Sequence, residues 1–131
     1  MAMKKHNPST IAAPAGAYSN GVSAPAGGRW LHIAGQVAID VDGTVPESFE
    51  AQAHVAWRNL LAVLADAGMG VADLVKVNHF LVDASDMAAY AAVRAGYLGE
   101  ARPASTLLIV QALARPAWRV EIDAVAWKAQ G

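Results

Sequence analysis

The chain contains no cysteine. That absence excludes a disulfide framework, a thiolate zinc site and a cysteine nucleophile together. Charge is scarce as well: Asp, Glu, Lys and Arg make up 16% of the 131 residues, against about 25% in an ordinary soluble domain. Ten basic and 11 acidic side chains leave a net charge of −1. Such a balance offers nothing to hold a polyanion, so neither nucleic acid nor an anionic membrane surface is an expected partner. No run of about 18 apolar residues occurs, so no membrane-spanning helix is expected. Lys4-Lys5 resembles the basic end of a signal peptide, but His6-Asn7-Pro8-Ser9-Thr10 stands where an apolar segment would begin. A cytoplasmic location follows as the expectation. A nucleophile elbow, a phosphate loop and a dinucleotide fingerprint are all missing. His6, His32, His54 and His79 share no ligand spacing, so no metal site is expected.

What the sequence does hold is apolar surface. Hydrophobic residues make up 55%, including 30 alanines. A chain of this length forms one domain, spanning 1–131, that removes roughly two-thirds of its unfolded surface from water. So little charge on so small a domain leaves apolar surface for a subunit interface, and an oligomer is expected.

Periodicity orders the elements. Leu31, Ile33, Gly35, Val37 and Ile39 alternate with Trp30, His32, Ala34 and Gln36, predicting a strand over 29–39. Asp42-Gly43 ends it in a turn; the aspartates there lack the third acidic position and central glycine of a calcium loop. Ala53, Ala56, Trp57, Leu60, Leu61, Leu64 and Ala67 recur at helical spacing, stopped by Gly68 and Gly70. Thr44 and Glu47 have the spacing of a capping box for that helix. Leu74 to Val82 alternates as a strand with Val75, Val77, His79 and Leu81 on one side. A second helix is predicted over 87–98, and final strands over 106–113 and 118–127. A short strand over 18–22 is expected to pair with 29–39, and residues 1–11 to be a loosely ordered segment. The order β-β-α-β-α-β-β predicts an α+β two-layer sandwich, one mixed sheet with both helices on one face. The other face would be bare in a monomer, a second reason to expect association.

Two charged residues fall at positions with two readings. In Arg119-Val120-Glu121-Ile122-Asp123 the charged residues share one side of a strand. Glu121 is either part of a solvated stripe or a water-orienting carboxylate in a cleft that a second subunit covers. Arg94 shares a helical face with Met87, Tyr90 and Tyr97. It either extends into solvent or an ion pair, or brings its guanidinium to a ligand.

Several segments together resemble the Rid (reactive intermediate deaminase, YjgF-like) family. They are Ala15-Gly16-Ala17-Tyr18-Ser19, the strand Leu31-His32-Ile33-Ala34-Gly35-Gln36, the helix from Gln52 through Asn59-Leu60 to Ala67-Gly68, and Val75 to Asp83. Pro103-Ala104, Leu113 and Val120 to Ala126 complete the set. The resemblance covers about residues 12–127. It implies a chorismate-mutase-like fold assembled as a homotrimer, small-molecule sites in clefts between subunits, and hydrolysis of reactive enamines and imines without a cofactor. Carried over by position, it implies Glu121 as the glutamate that places the attacking water, and Tyr18 and Ser19 as the N-terminal cleft segment. The family's active deaminases read Pro-Ala-Arg-Ser/Thr where this chain reads Pro103-Ala104-Ser105-Thr106. Ser105 therefore stands in the place of the arginine that pairs with the substrate carboxylate. Arg94, where many relatives have asparagine, is the candidate replacement. The expectation is a Rid-like enzyme of altered specificity. A non-catalytic binding trimer is the alternative, and ribonuclease activity ranks third because no basic stripe is present.

Overall fold

The computed structural model describes residues 2–130, so Met1 of the expected N-terminal segment lies outside the described residues. Among these residues six strands and two α-helices form: β1 Lys4–His6, β2 Gly21–Ser23, β3 Arg29–Val37, α1 Phe49–Asp66, β4 Leu74–Leu81, α2 Met87–Leu98, β5 Ala104–Ile109 and β6 Val120–Lys128. The main sheet has the order β3-β6-β4-β5, with β6 antiparallel to both neighbours and β4 parallel to β5. It is the mixed sheet of an α+β domain, as the element order implied.

Alternation decides what each face carries. Val120, Ile122, Ala124 and Ala126 of β6 pair with Leu81, His79, Val77 and Leu74 of β4, and all of them are buried under the helices. From the helix side, Phe49, Ala53, Ala56, Trp57, Leu60 and Leu64 of α1 complete the cluster with Tyr90 and Val93 of α2. Burying each large side chain here stabilises the fold by about 1.5–3 kcal/mol. The odd positions of β6, Glu121, Asp123 and Val125, face the other way beside Phe80, Asn78 and Lys76, on a half-buried face without helices.

Three expectations require correction. The helix begins at Ser48, whose Oγ accepts from Ala51 N at 3.2 Å, and not at a Thr44/Glu47 box. Thr44 is used earlier: its carbonyl accepts from Asp40 N and its hydroxyl donates to Asp42 Oδ1, closing the turn after β3. The predicted strand over 18–22 is shorter and pairs elsewhere. β2 pairs antiparallel with β1 in a separate two-stranded sheet, built partly from the N-terminal segment expected to be loosely ordered. Ser19 explains why, because its N–H donates to Pro103 O and it bridges Ala104 at the start of β5. That is the sheet edge opposite β3, which residues 18–22 therefore cannot reach. Finally, Arg119 leaves the charged stripe. Its Nη2 pairs with Asp86 at 2.9 Å, and its guanidinium lies over the Phe49 ring, so it faces the start of α2.

Candidate functional site

Glu121 sits near one end of the open face, on the inner strand β6 between Val37 of β3 and Phe80 of β4. A local irregularity in β3 between Ile33 and Gln36 brings Gly35 beneath it. A Cβ on Gly35 would lie 1.9 Å from Glu121 Oε2, so only glycine leaves the carboxylate its place. Asn59 of α1 pins the neighbouring backbone, its amide donating to Val37 O at 3.2 Å and Ile39 O at 3.0 Å. Residues 110–114 fold over this face after β5. Val110, Ala112, Leu113 and Ala114 among them line, with Phe80, Glu121 and Asp123, a cleft of about 340 Å³. The Glu121 carboxylate has no hydrogen bond or ion pair among the described residues, so its lone pairs are open to water or a ligand.

The other sequence-derived residues gather elsewhere. Ser19 is buried, and its hydroxyl donates to Arg102 O at 2.5 Å, fastening the N-terminal segment to the start of β5. Tyr18, half-buried beside it, accepts from Ala15 N at 3.2 Å. Ser105 pairs with Val77 of β4, which sets its side chain on the helix-covered face. There its Oγ meets His79 Nε2 at 3.0 Å. His79 Nδ1 is bonded in turn to the Tyr90 hydroxyl, which accepts from Trp57 Nε1 at 3.3 Å. The Arg94 guanidinium lies 5.7 Å from the Tyr90 ring centre, bordering the same group. The structure thus brings Ser105 and Arg94 to one buried polar cluster, with Ser19 and Tyr18 at the start of the same strand. Glu121 is on the opposite face, two strands (about 10 Å) across the sheet and three residues (about another 10 Å) along it.

Electrostatics keeps the His79–Tyr90 pair of that cluster neutral. Burial pushes the His79 ring down to about 3, helped by the positive charges of Arg94 and Lys76. Burial also raises the Tyr90 phenol above its ordinary value, so both are uncharged at neutral pH. In sequence His79 is one of four histidines without ligand spacing, set on one side of a strand. It is satisfied, but its partners are the informative part. The signal available was a lone polar residue among Val77 and Leu81 on the core face, which has to find partners from α2 and β5. Phe80 and Leu113, which wall the Glu121 cleft, stand out in sequence only as parts of the family's pattern.

Two helices across one face of this mixed sheet, with a glycine-backed glutamate on the other, define an α+β domain of the Rid type. The pattern of the family described as Endoribonuclease L-PSP matches residues 9–128. A RutC family protein of Pyrococcus horikoshii is 35% identical over 117 residues, 88% of this chain and 90% of the relative. The mouse 2-iminobutanoate/2-iminopropanoate deaminase is 34% identical over 122 residues, 90% of this chain and 87% of the relative. Among solved structures, the YyfB protein of the conserved Rid family from Yersinia pestis superposes with a TM-score of 0.84. It is 35% identical, and the match covers 96% of this chain and 98% of that one. The chain belongs to the Rid (YjgF-like, L-PSP) family.

Proposed function

We propose that the protein binds small imines or enamines derived from carbonyl compounds, in clefts between the subunits of a cytoplasmic homotrimer, and hydrolyses them with a specificity altered by Ser105. The observation that carries this reading is the unpartnered Glu121 carboxylate over Gly35, in a cleft walled by Phe80 and Leu113. A carboxylate so held accepts a proton from a water attacking the C=N carbon. Water's oxygen bonds to carbon as the C=N π bond opens onto nitrogen; the proton held by Glu121 and then the new hydroxyl's proton pass to nitrogen, and the C–N bond breaks to leave a carbonyl compound and ammonia. No cofactor enters this balance. Relatives named 2-iminobutanoate/2-iminopropanoate deaminase support the reaction class.

The geometry also favours a composite site. Glu121 and Ser105 lie on opposite faces of one sheet. One small ligand meets both only if they come from different copies, which is what an intersubunit cleft supplies. In this reading Tyr18 and Ser19 shape the cleft wall at β5, and Arg94 provides the cation that position 105 lacks.

A second reading rests on Ser105 itself, whose hydroxyl is engaged by His79 where active relatives present a guanidinium. A protein without that anchor serves as a non-catalytic binder or regulator. Ammonia release from imino acids generated in situ by an amino-acid oxidase separates the two. Activity that Glu121→Ala abolishes without changing the oligomer supports the deaminase. A silent wild type rescued by Ser105→Arg means an intact scaffold with a different native ligand, and silence in both favours the binder. RNA degradation, named in the family's description, ranks below both because the net charge is −1.

A further inference from the structure

The Glu121 carboxylate makes no hydrogen bond or ion pair among the described residues. Its place is therefore set by the backbone that carries it and by the backbone beneath it. Two segments supply these. One is the end of β3, which presents Gly35 under the carboxylate and Val37 as the cross-strand partner of Glu121. The other is the chain entering β6, which reaches Arg119 two residues before Glu121. The sheet alone fixes neither. β3 is an edge strand whose ladder to β6 is irregular between Ile33 and Gln36, and β6 begins only at Val120.

Two side-chain amides of α1 hold these segments. Asn59 Nδ2 donates both of its protons, to Val37 O at 3.2 Å and to Ile39 O at 3.0 Å. Gln52 Nε2 donates to Ala117 O at 2.8 Å and Pro46 O at 2.9 Å, and its Oε1 accepts from Arg119 N at 2.9 Å. Gln52 is 2% exposed, so water does not compete for these bonds. The two positions are seven residues apart, two helical turns, and so share one side of α1 about 10 Å apart along its axis. From there they reach the backbone on both flanks of Glu121. The α1 positions between them that face the sheet, Ala53, Ala56 and Leu60, are apolar. An apolar side chain at 52 or 59 would fill space equally well. An amide adds direction, because its hydrogen bonds form only along defined lines.

We propose that Gln52 and Asn59 are positioning residues: from the helix side of the sheet they set the backbone on either flank of Glu121, and so hold its unbonded carboxylate over Gly35. The inference deepens the reading of Glu121 as the carboxylate that takes a proton from the attacking water, and rests on that reading for its kinetic test alone.

Nuclear Overhauser contacts in the full-length protein, labelled at glycine and glutamate, test the placement. Wild type should show a contact between Gly35 Hα and Glu121 Hγ, since a Cβ on Gly35 would lie 3.1 Å from Glu121 Cγ. Asn59→Leu and Gln52→Met remove the amides at nearly constant volume. Each should abolish this contact while the Asn78–Asp123 pairing of β4 with β6 persists. Gly28→Ala, which strains the far end of β3 against Trp127, is the reference for a destabilised fold and should retain the contact. In ammonia release, each amide variant should lower kcat about ten- to a hundredfold with KM changed by less than about twofold. A contact kept in both amide variants, an equal kcat loss in Gly28→Ala, or a raised KM at unchanged kcat would each overturn the proposal. Asn59→Ala and Gln52→Ala remove the same donors without added bulk. If none of the four variants folds, the amides hold the fold and not the carboxylate, and the proposal falls. Loss of the contact in the amide variants of a protein that releases no ammonia leaves the placement standing and removes the deaminase reading. Ammonia release that Glu121→Ala abolishes but both amide variants spare does the opposite.

Discussion

Lowering the pH should destabilise this protein through His79 before most of its carboxylates titrate. The ring is 1% exposed and hydrogen-bonded on both nitrogens, and burial beside Arg94 and Lys76 holds its folded pKa at about 3. In the unfolded chain an imidazole titrates near 6.5. The folded value is the lower one, so the unfolded state binds the proton first. Stability from the neutral ring is complete above about pH 6.5 and is lost as pH falls toward 3. At pH 5 the linkage amounts to RT ln(1 + 10^1.5), about 2 kcal/mol, a large share of the 5–15 kcal/mol or so that a domain possesses. Urea denaturation at pH 8 and pH 5 reads it directly, at one protein concentration because association adds its own stability. His79→Gln serves as the reference, since subtracting its loss cancels every other titrating group. Wild type should lose about 2 kcal/mol more than the variant between those pH values. Parallel losses in the two proteins would refute the reasoning, because they would mean that His79 binds its proton alike in both states.

Three further outcomes follow from the packing. Gly35→Ala puts a methyl 1.9 Å from Glu121 Oε2; the flexible carboxylate should move aside at a cost under about 1 kcal/mol, while ligand binding or turnover falls as far as in Glu121→Ala. Stability lost together with function would instead mark Gly35 as a backbone requirement. Gly28→Ala meets the rigid Trp127 ring at 2.0–2.4 Å, and because a buried indole cannot swing away, urea midpoints should report a loss of about 1–3 kcal/mol. Asp86→Ala removes both hydrogen bonds from Arg119 Nη2, at 2.9 and 3.1 Å. With Arg119 35% exposed the cost should stay near or below about 1 kcal/mol and shrink in high salt; a salt-independent loss would point to the Phe49 contact as the main term.

Much of this architecture was legible in one dimension because its causes are local. The helix over 87–98 follows from apolar spacing closed by Gly99, and Trp57, Leu60 and Leu64 reveal their buried face by recurring every three or four residues. Alternation in 120–126 separated Val120 and Ile122 from Glu121 and Asp123 without reference to any partner strand. Glu121 and Ser105 stood out because short motifs around them match the family's pattern. Nothing local, however, says that β6, the last strand, inserts between β3 and β4, or that residues 21–23 pair with 4–6. Strand pairing joins residues far apart in sequence, and its energy lies in contacts that neither strand makes alone. The same holds for Ser105. Its neighbours in sequence mark it as a missing arginine, but only the register with Val77 turns it toward His79, and only α2 brings Tyr90 to the other ring nitrogen. A shift of one residue would have put its hydroxyl on the open face. The sequence alone therefore determined which residues stand out and which elements bear them. The tertiary structure decided which of them meet and in which direction their protons point, because hydrogen bonds form only between groups that folding has brought within about 3 Å.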